Sequence, residues 1–429
     1  MTHPHYLIAL DQIYHSAWAL PRLAAQARLS RLIARRWPGG HPCAMVQVGG
    51  TSGKGSVSRF IEAALSLRGV SGSLTSPHLF DFRERFSLDG AWPDQAELAR
   101  LWERAVLPLA LADLQEHGQP LGFQELNLLL ALELFELRGV EFAAIEVGVG
   151  GQYDPTSAIP VRACALTGVG RDHEHRLGAE PWQRALEKAA MVRHGGILLT
   201  TEREPELLRL IHDLCQERGA TCLALDPETV DTFWEAAATP LRPDSRLTAP
   251  HHRRNAALAF AVAARLAPDL TPAEAVAAMD QVRLLGRLSR VAEGLYIDVA
   301  HNPDKIAALA SDLDGRFDGR HRHVVAGVSG ERGAAEVLGP LLDAADALTL
   351  TGAGFKGRDP ETLRKELRAA GARIPIGVVE APQDALAAAL ERRPERGVVI
   401  VTGSSFTIDQ ALNPNPRLRH LNATYGWRR

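Results

Sequence analysis

The chain has 429 residues, of which 46% are apolar and 23% charged, and a formal net charge of −3. That length is more than one hydrophobic core serves, so two or three domains are expected. The charge balance excludes the basic surface on which nucleic-acid binding depends, and no run of like charge marks a tail. Four cysteines (Cys43, Cys164, Cys215, Cys222) include no CxxC pair, so neither a zinc site nor a disulfide framework is indicated and a reducing cytoplasm fits.

In chain order, the N-terminal stretch MTHPHYLIALDQIYHSAWAL has no basic leader before an apolar core; it reads as an amphipathic region and not as a signal peptide. A buried strand follows at 43–48. It breaks into Gly49-Gly50-Thr51-Ser52-Gly53-Lys54-Gly55-Ser56 and resumes as a helix over 54–67. Strand, glycine loop and helix in that order make a phosphate cradle: backbone N–H groups turn inward, the helix N-terminus favours an anion, and Lys54 supplies charge. The strict G-x-x-x-x-G-K-[ST] pattern is not met. Val48 stands where its first glycine would be, and Gly55 pushes the hydroxyl on to Ser56.

Beyond the loop the pattern gives a short strand at 73–75, a helix at 123–138, strands at 142–147 and 163–168, and a helix at 181–192. A strand at 196–200, a helix at 205–217 and a strand at 221–225 follow. This alternation predicts a mostly parallel sheet covered by helices. Two helices come next: NAALAFAVAARL, and one opened by the cap and first-turn pair Thr271-Pro272. The apolar run 255–264 stops at Arg265, about half the ~20 residues a membrane span needs, so no membrane segment is expected. A second β-α series then runs through YIDVA, a helix at 304–313, HVVAGV, a helix at 334–345, ALTLTG, a helix at 360–370, IGVVEA, a helix at 384–391, and GVVIVTG before a last helix. The domain boundary is placed near Val282–Arg290, giving domains 1–282 and 283–429.

Ligands of open α/β sheets bind at the carboxyl ends of the strands, and polar groups collect there. Ser76 follows the second strand, Glu146 closes AAIEV and runs into Gly148, Gly150 and Gly151, and Asp172-His173 follows ALTGVG. A hydroxyl, a carboxylate and an imidazole near a phosphate loop suit Mg²⁺ held between protein and nucleotide. Singly, each residue also fits a plain turn, cap or loop contact.

Those same residues stand in segments that resemble the folylpolyglutamate synthase and dihydrofolate synthase family of the Mur ligase superfamily. GTSGKGS, TSPHLFDFRERF, IEVGVGGQYDPTS, DHEHRLG, EKAAM, Gly286-Arg287-Leu288, DVAHNP and VTGSS occur in the family's order over about residues 46–405. The resemblance implies an α/β fold: a P-loop domain with a mostly parallel sheet, then a smaller Rossmann-like α/β domain. It also implies ATP and Mg²⁺ as cofactors, and joining of L-glutamate to a pterin or folate carboxylate through an acyl phosphate.

Residue by residue, it places Thr51, Ser52, Gly53, Lys54, Gly55 and Ser56 on the ATP phosphates, with Asn255, Arg287 and Asp298 as further nucleotide contacts. Ser76, Glu146, His173 and Lys188, the last as a carbamate, would be the metal ligands. Lys54, Lys188, Arg287 and His301 would serve catalysis. Phe123, Gln124, Glu125, Tyr153, Asp154 and Arg85 would line the substrate. The expected protein is a cytoplasmic monomer acting on small molecules, with no nucleic-acid or membrane partner.

Departures from the family pattern fall mostly on the acceptor side. The segment F-E-x-x-T is here Phe123-Gln124-Glu125-Leu126-Asn127, and GGRxDATN is GGQYDPTS with Gln152, Pro155 and Ser157. Ala190 replaces a glycine, and GVSGERG rearranges the charges around Glu331 and Arg332. Two other readings therefore stay open: a related amide ligase with a different acid or amino acid, and a nucleotide-binding protein without catalysis.

Overall fold

The structure is a computed structural model and describes residues 2–16, 22–242, 245–330 and 332–424; Glu331 lies outside them. The chain divides into two units. One comprises the chain up to Val282 except Leu79–Asp81; the other comprises Leu79–Asp81 and the chain from Arg283 onward.

The first unit holds a seven-stranded sheet. Its strands are β1 (Ala44–Gly49), β2 (Ser71–Leu74), β3 (Phe86–Leu88), β4 (Phe142–Glu146), β5 (Ala163–Leu166), β6 (Ile197–Thr200) and β7 (Thr221–Ala224), in the order β3-β2-β4-β1-β5-β6-β7. All neighbours are parallel except β3, which pairs antiparallel with β2 at one edge. Val46 and Val48 of central β1 are fully buried, as a strand covered on both faces requires; each such side chain contributes about 2 kcal/mol by leaving water. The predicted strand at 73–75 lies earlier, at Ser71–Leu74. Strand β3 and the helices Gln95–Leu101, Leu107–His117 and Pro227–Ala237 are additions to the expected series.

The second unit has a six-stranded sheet, with β8 (Ser289–Ala292), β9 (Leu295–Ile297), β10 (Arg322–Ala326), β11 (Ala347–Leu350), β12 (Ile376–Val378) and β13 (Val398–Thr402) in the order β12-β11-β10-β13-β9-β8. Only the unforeseen edge strand β8 is antiparallel. Leu79 and Phe80 pack into this unit's core beside Ile297, Val399 and Ile408, and the Phe80 carbonyl accepts from Asn413 Nδ2 at 3.0 Å and Asn422 Nδ2 at 3.2 Å. The helix expected over 334–345 is two short ones, Ala334–Leu338 and Leu341–Ala344, parted at Gly339-Pro340. Proline has no N–H to continue the ladder, and its ring clashes with the preceding turn. The α/β class with two mostly parallel sheets is as expected.

Candidate functional site

The phosphate-type loop leaves β1 in the middle of the first sheet, between β4 and β5. Gly53 caps the helix Lys54–Leu65 at φ +86°, in the left-handed region, and a methyl group there would lie 2.7 Å from Asn255 Nδ2. Only glycine meets both demands. Gly50, at φ +129°, leaves no room beside Thr167 Oγ1. Thr167 Oγ1 in turn donates to the Ser52 carbonyl at 2.6 Å, while Thr51 N–H donates to the Gly168 carbonyl at 2.9 Å and Gly170 N–H to Thr51 Oγ1 at 2.8 Å. The loop is thus clamped to the segment after β5, with Asn255 against its last glycine. Nothing in the sequence singled out Thr167, a threonine in an ordinary strand-end turn.

Two lysines converge on this loop. Lys54 Nζ and Lys188 Nζ each donate to the Gly50 carbonyl at 3.2 Å. Lys188 comes from the helix Pro181–Ala189, shorter than the 181–192 expected, and is 3% exposed. Glu146, at the end of β4, accepts from Ser76 N–H at 2.7 Å through Oε2, and the same oxygen would stand 3.4 Å from a methyl group on Gly55. Ser76, Glu146, Lys54 and Lys188 therefore gather at the loop. His173 stands one loop further on, at the head of the short helix Glu174–Leu177, with Nε2 3.9 Å from Asp172 Oδ1.

Among the described residues no three His, Cys, Asp or Glu side chains converge closely enough to hold a metal by themselves. One carboxylate and one hydroxyl beside a phosphate loop nevertheless fit Mg²⁺, which takes one or two protein oxygens and fills its octahedron with phosphate oxygens and water. Lys188 as an ammonium cannot ligate; as a carbamate it presents an oxygen.

Arg59, also absent from the sequence expectations, donates to Thr75 Oγ1 at 3.2 Å and to the Glu84 carbonyl at 2.7 Å. Burial pulls its guanidinium below the ordinary range, and Glu62, Glu146 and Glu84 oppose that. It braces the strand end that carries Ser76 with a positive charge close to Glu146.

The residues expected around the substrate separate into three groups. Phe123, at the start of the helix Phe123–Leu137, lies under the Arg85 guanidinium at 5.0 Å and 5.8 Å from the Tyr14 ring. Arg85 Nε donates to His78 Nδ1 at 2.9 Å; that nitrogen is therefore bare, and Nε2 carries the hydrogen that meets Tyr14 Oη at 3.2 Å. Gln124 and Asp154 meet over Gly148, where a methyl group would be 3.5 Å from Gln124 Nε2 and 3.1 Å from Asp154 Oδ2. Glu125 stands apart. Its carboxylate accepts from Gly122 N–H at the head of its own helix and feels Arg28 and Asp113. Burial pushes it up to about 7.

Asp154 is occupied locally: Oδ2 accepts from Gly148 N–H and Val149 N–H at 3.1 Å each, and Oδ1 from Thr156 N–H at 3.0 Å and Thr156 Oγ1 at 2.6 Å. It holds the Gly148–Gly151 turn. Tyr153 beside it is half-buried.

In the second unit Arg287, Asp298 and His301 gather at the end of β9. Asp298 accepts from Leu288 N–H at 2.7 Å and Ala300 N–H at 2.8 Å, tying the Gly286–Leu288 turn to the strand. Arg287 donates from one guanidinium nitrogen to the Gly286 carbonyl at 3.2 Å. His301 Nδ1 donates to the Val299 carbonyl at 2.8 Å, which leaves Nε2 to accept from Lys305 Nζ at 3.4 Å. Arg332 donates to the His301 carbonyl at 3.0 Å.

Residues 286–405 match the Mur ligase glutamate ligase domain. The chain is 30% identical over 393 residues to a probable bifunctional folylpolyglutamate synthase/dihydropteroate synthase of Haloferax volcanii, covering 85% of this chain and 45% of that one, so it spans about half the length of that relative. It is 27% identical over 408 residues to the dihydrofolate synthase/folylpolyglutamate synthase of Bacillus subtilis, covering 89% of this chain and 92% of that one. In fold it matches the Mycobacterium tuberculosis folylpolyglutamate synthase complexed with ADP at a TM-score of 0.82 and 23% identity, over 95% of this chain and 97% of that one. It likewise matches the bifunctional folylpolyglutamate synthase/dihydrofolate synthase of Yersinia pestis complexed with AMPPNP and Mn, at a TM-score of 0.78 and 24% identity, over 95% and 97%.

Proposed function

We infer that the chain belongs to the folylpolyglutamate synthase and dihydrofolate synthase family of Mur ligases, and from that premise we propose that it joins L-glutamate to a pterin or folate carboxylate at the expense of ATP. The observation that carries this reading is the convergence of Lys54, Lys188 and Glu146 on the glycine loop at the end of β1. A carboxylate is a poor electrophile. Transfer of the γ-phosphoryl of ATP to it makes an acyl phosphate, the α-amine of glutamate attacks the carbonyl carbon, and phosphate leaves.

In this reading the amides of Thr51–Ser56 and the Lys54 ammonium hold the phosphates, where the helix N-terminus favours negative charge. Ser76 and Glu146, with His173, would hold Mg²⁺, and a Lys188 carbamate would help to hold a second metal ion. The metal, when bound, spreads the charge of the phosphoryl group in transfer. Asn255 stays a nucleotide contact against Gly53. Arg287, Asp298 and His301 keep the nucleotide and catalytic roles that family membership gives them. Residues 1–282 form the ATP-binding domain and 283–429 the ligase domain.

The acceptor rests against Phe123, Arg85, Gln124 and Tyr153, with Asp154 shaping the turn beside them. Glu125 takes a structural part. Among the described residues no helix is long and apolar enough to cross a membrane; a cytoplasmic monomer working on small molecules is the reading adopted. A second reading, a ligase for a different acid, is favoured by the amide pair Gln124–Asn127, bonded at 3.3 Å where the family pattern has an acid and a threonine. Incubation with Mg-ATP, glutamate and either dihydropteroate or a folate tests the first reading. Phosphate release only with another acid would favour the second.

A further inference from the structure

Two cysteines take no part in the chemistry above. Cys215 lies in the last turn of the helix Pro205–Glu217, and Cys222 lies on the edge strand β7. Just past the helix end Gly219 is left-handed at φ +58°; Gly219 N–H donates to the Gln216 carbonyl at 2.9 Å and Ala220 N–H to the Cys215 carbonyl at 2.8 Å. That pair of bonds folds the chain back across the helix end. Cys222, two residues beyond Ala220, returns against Cys215. Cys215 is 1% exposed within a core that includes Leu198, Leu207 and Ile211, and half-buried Cys222 packs against that core.

Cys215 and Cys222 act on each other, and their interaction draws the Cys222 thiol down while Cys215 is pushed up. Of the two, Cys222 is thus both the more readily ionised and the one that solvent reaches. Cys43 and Cys164 are buried and pushed up to about 12. They stay as thiols at neutral pH and do not compete.

We propose that Cys215 and Cys222 form a redox-reactive dithiol which a small-molecule disulfide, such as oxidised glutathione, converts to an internal disulfide. The Cys222 thiolate attacks one sulfur of the glutathione disulfide, forming a mixed disulfide and releasing one glutathione thiolate. Cys215 then loses its proton to water, and its sulfur attacks the Cys222 sulfur and displaces the second glutathione thiolate. Two protein thiols are oxidised, one glutathione disulfide is reduced to two glutathione thiols, and no other reagent is consumed. The new bond ties edge strand β7 to the helix beneath it. Catalytic or sensing dithiols of this transient kind are the ones that occur in reducing compartments.

The test exposes the reduced full-length chain to oxidised glutathione, blocks remaining thiols by alkylation, and reads intact mass and cysteine peptides. The wild type is expected to lose two hydrogens and yield a cross-linked 215–222 peptide, both reversed by dithiothreitol. Cys215→Ser and Cys215→Ala are each expected to retain one glutathione on Cys222, and Cys222→Ser to take up none. A wild type that keeps all its thiols, holds a lasting glutathione on Cys222, or pairs either cysteine with Cys164 overturns the proposal; so does Cys222→Ser oxidising like the wild type.

Discussion

Lys54 and Lys188 share one acceptor: both ammonium groups donate to the carbonyl of Gly50, each at 3.2 Å. Two like charges on one carbonyl repel, and Lys188 is buried, where that repulsion is poorly screened. Loss of a proton from the Lys188 ammonium, addition of the amine to carbon dioxide and release of a second proton would leave a carbamate anion there and turn the repulsion into attraction. The expected result is a carbamate carbon signal after equilibration with ¹³C-bicarbonate, absent from Lys188→Ala, whose lost turnover short carboxylates partly restore. A wild type without that signal, together with no rescue, would leave Lys188 as a plain ammonium.

Lys54→Ala removes the one lysine of the glycine loop while leaving the Gly53 cap and the Thr167 clamp in place. Turnover of ATP should fall at least about a hundredfold, the scale of losing one preorganised charge contact in transfer. The far-ultraviolet circular dichroism spectrum should not change. Undiminished turnover would remove Lys54 from the phosphate site.

Glu146→Gln keeps an acceptor for Ser76 N–H but takes away the charge beside Gly55. The Mg²⁺ concentration for half-maximal activity should rise about tenfold or more, since Mg²⁺ leans on anionic oxygen. A superimposable Mg²⁺ titration would make Glu146 a structural carboxylate.

Glu125 gives a pH dependence of stability. Its carboxyl rises from 4.5 to about 7 on burial, against the downward pull of Gly122 N–H and Arg28. Between those values the folded chain keeps a proton that the unfolded chain has lost. The contribution is therefore complete below about pH 4.5 and is lost as the pH climbs to about 7, amounting to about 3 kcal/mol at most. Glu125→Gln cannot titrate and still offers an acceptor to Gly122. Urea titrations of the first unfolding transition should find the variant more stable than the parent at pH 8 by roughly 1–3 kcal/mol, the gap closing toward pH 5. Parallel curves at both pH values would contradict this.

The glycine loop was legible because its residue types have few other uses: glycines before and after one lysine, between an apolar run and a helical pattern, leave little but an anion cradle. Strands such as β13, buried on both faces, read as unbroken apolar runs for the same reason. Three-residue β3 and exposed β8 carry too few side chains for any periodicity to register. Pro340 did mark its helix break, but the apolar spacing on either side masked it.

Among the residues expected at the substrate, neighbours in sequence face different surroundings. Glu125 follows Gln124 in sequence, yet each helical residue turns about 100°, which sends Glu125 toward Arg28 and Asp113 while Gln124 meets Asp154. Asp154 looked like a ligand-binding acid. That local amides and a threonine already fill its oxygens follows from the fold of the Gly148–Gly151 turn, which residue types alone do not specify.

The most direct measurement follows inorganic phosphate from the purified chain with Mg-ATP, adding glutamate and a pterin or folate acid separately and together. Phosphate released only when both are present, matched mole for mole by a product heavier than the acid by one glutamyl residue, is the predicted result. Phosphate released at the same rate without acid or amine, or none with any combination that contains ATP, would contradict an acyl-phosphate ligase.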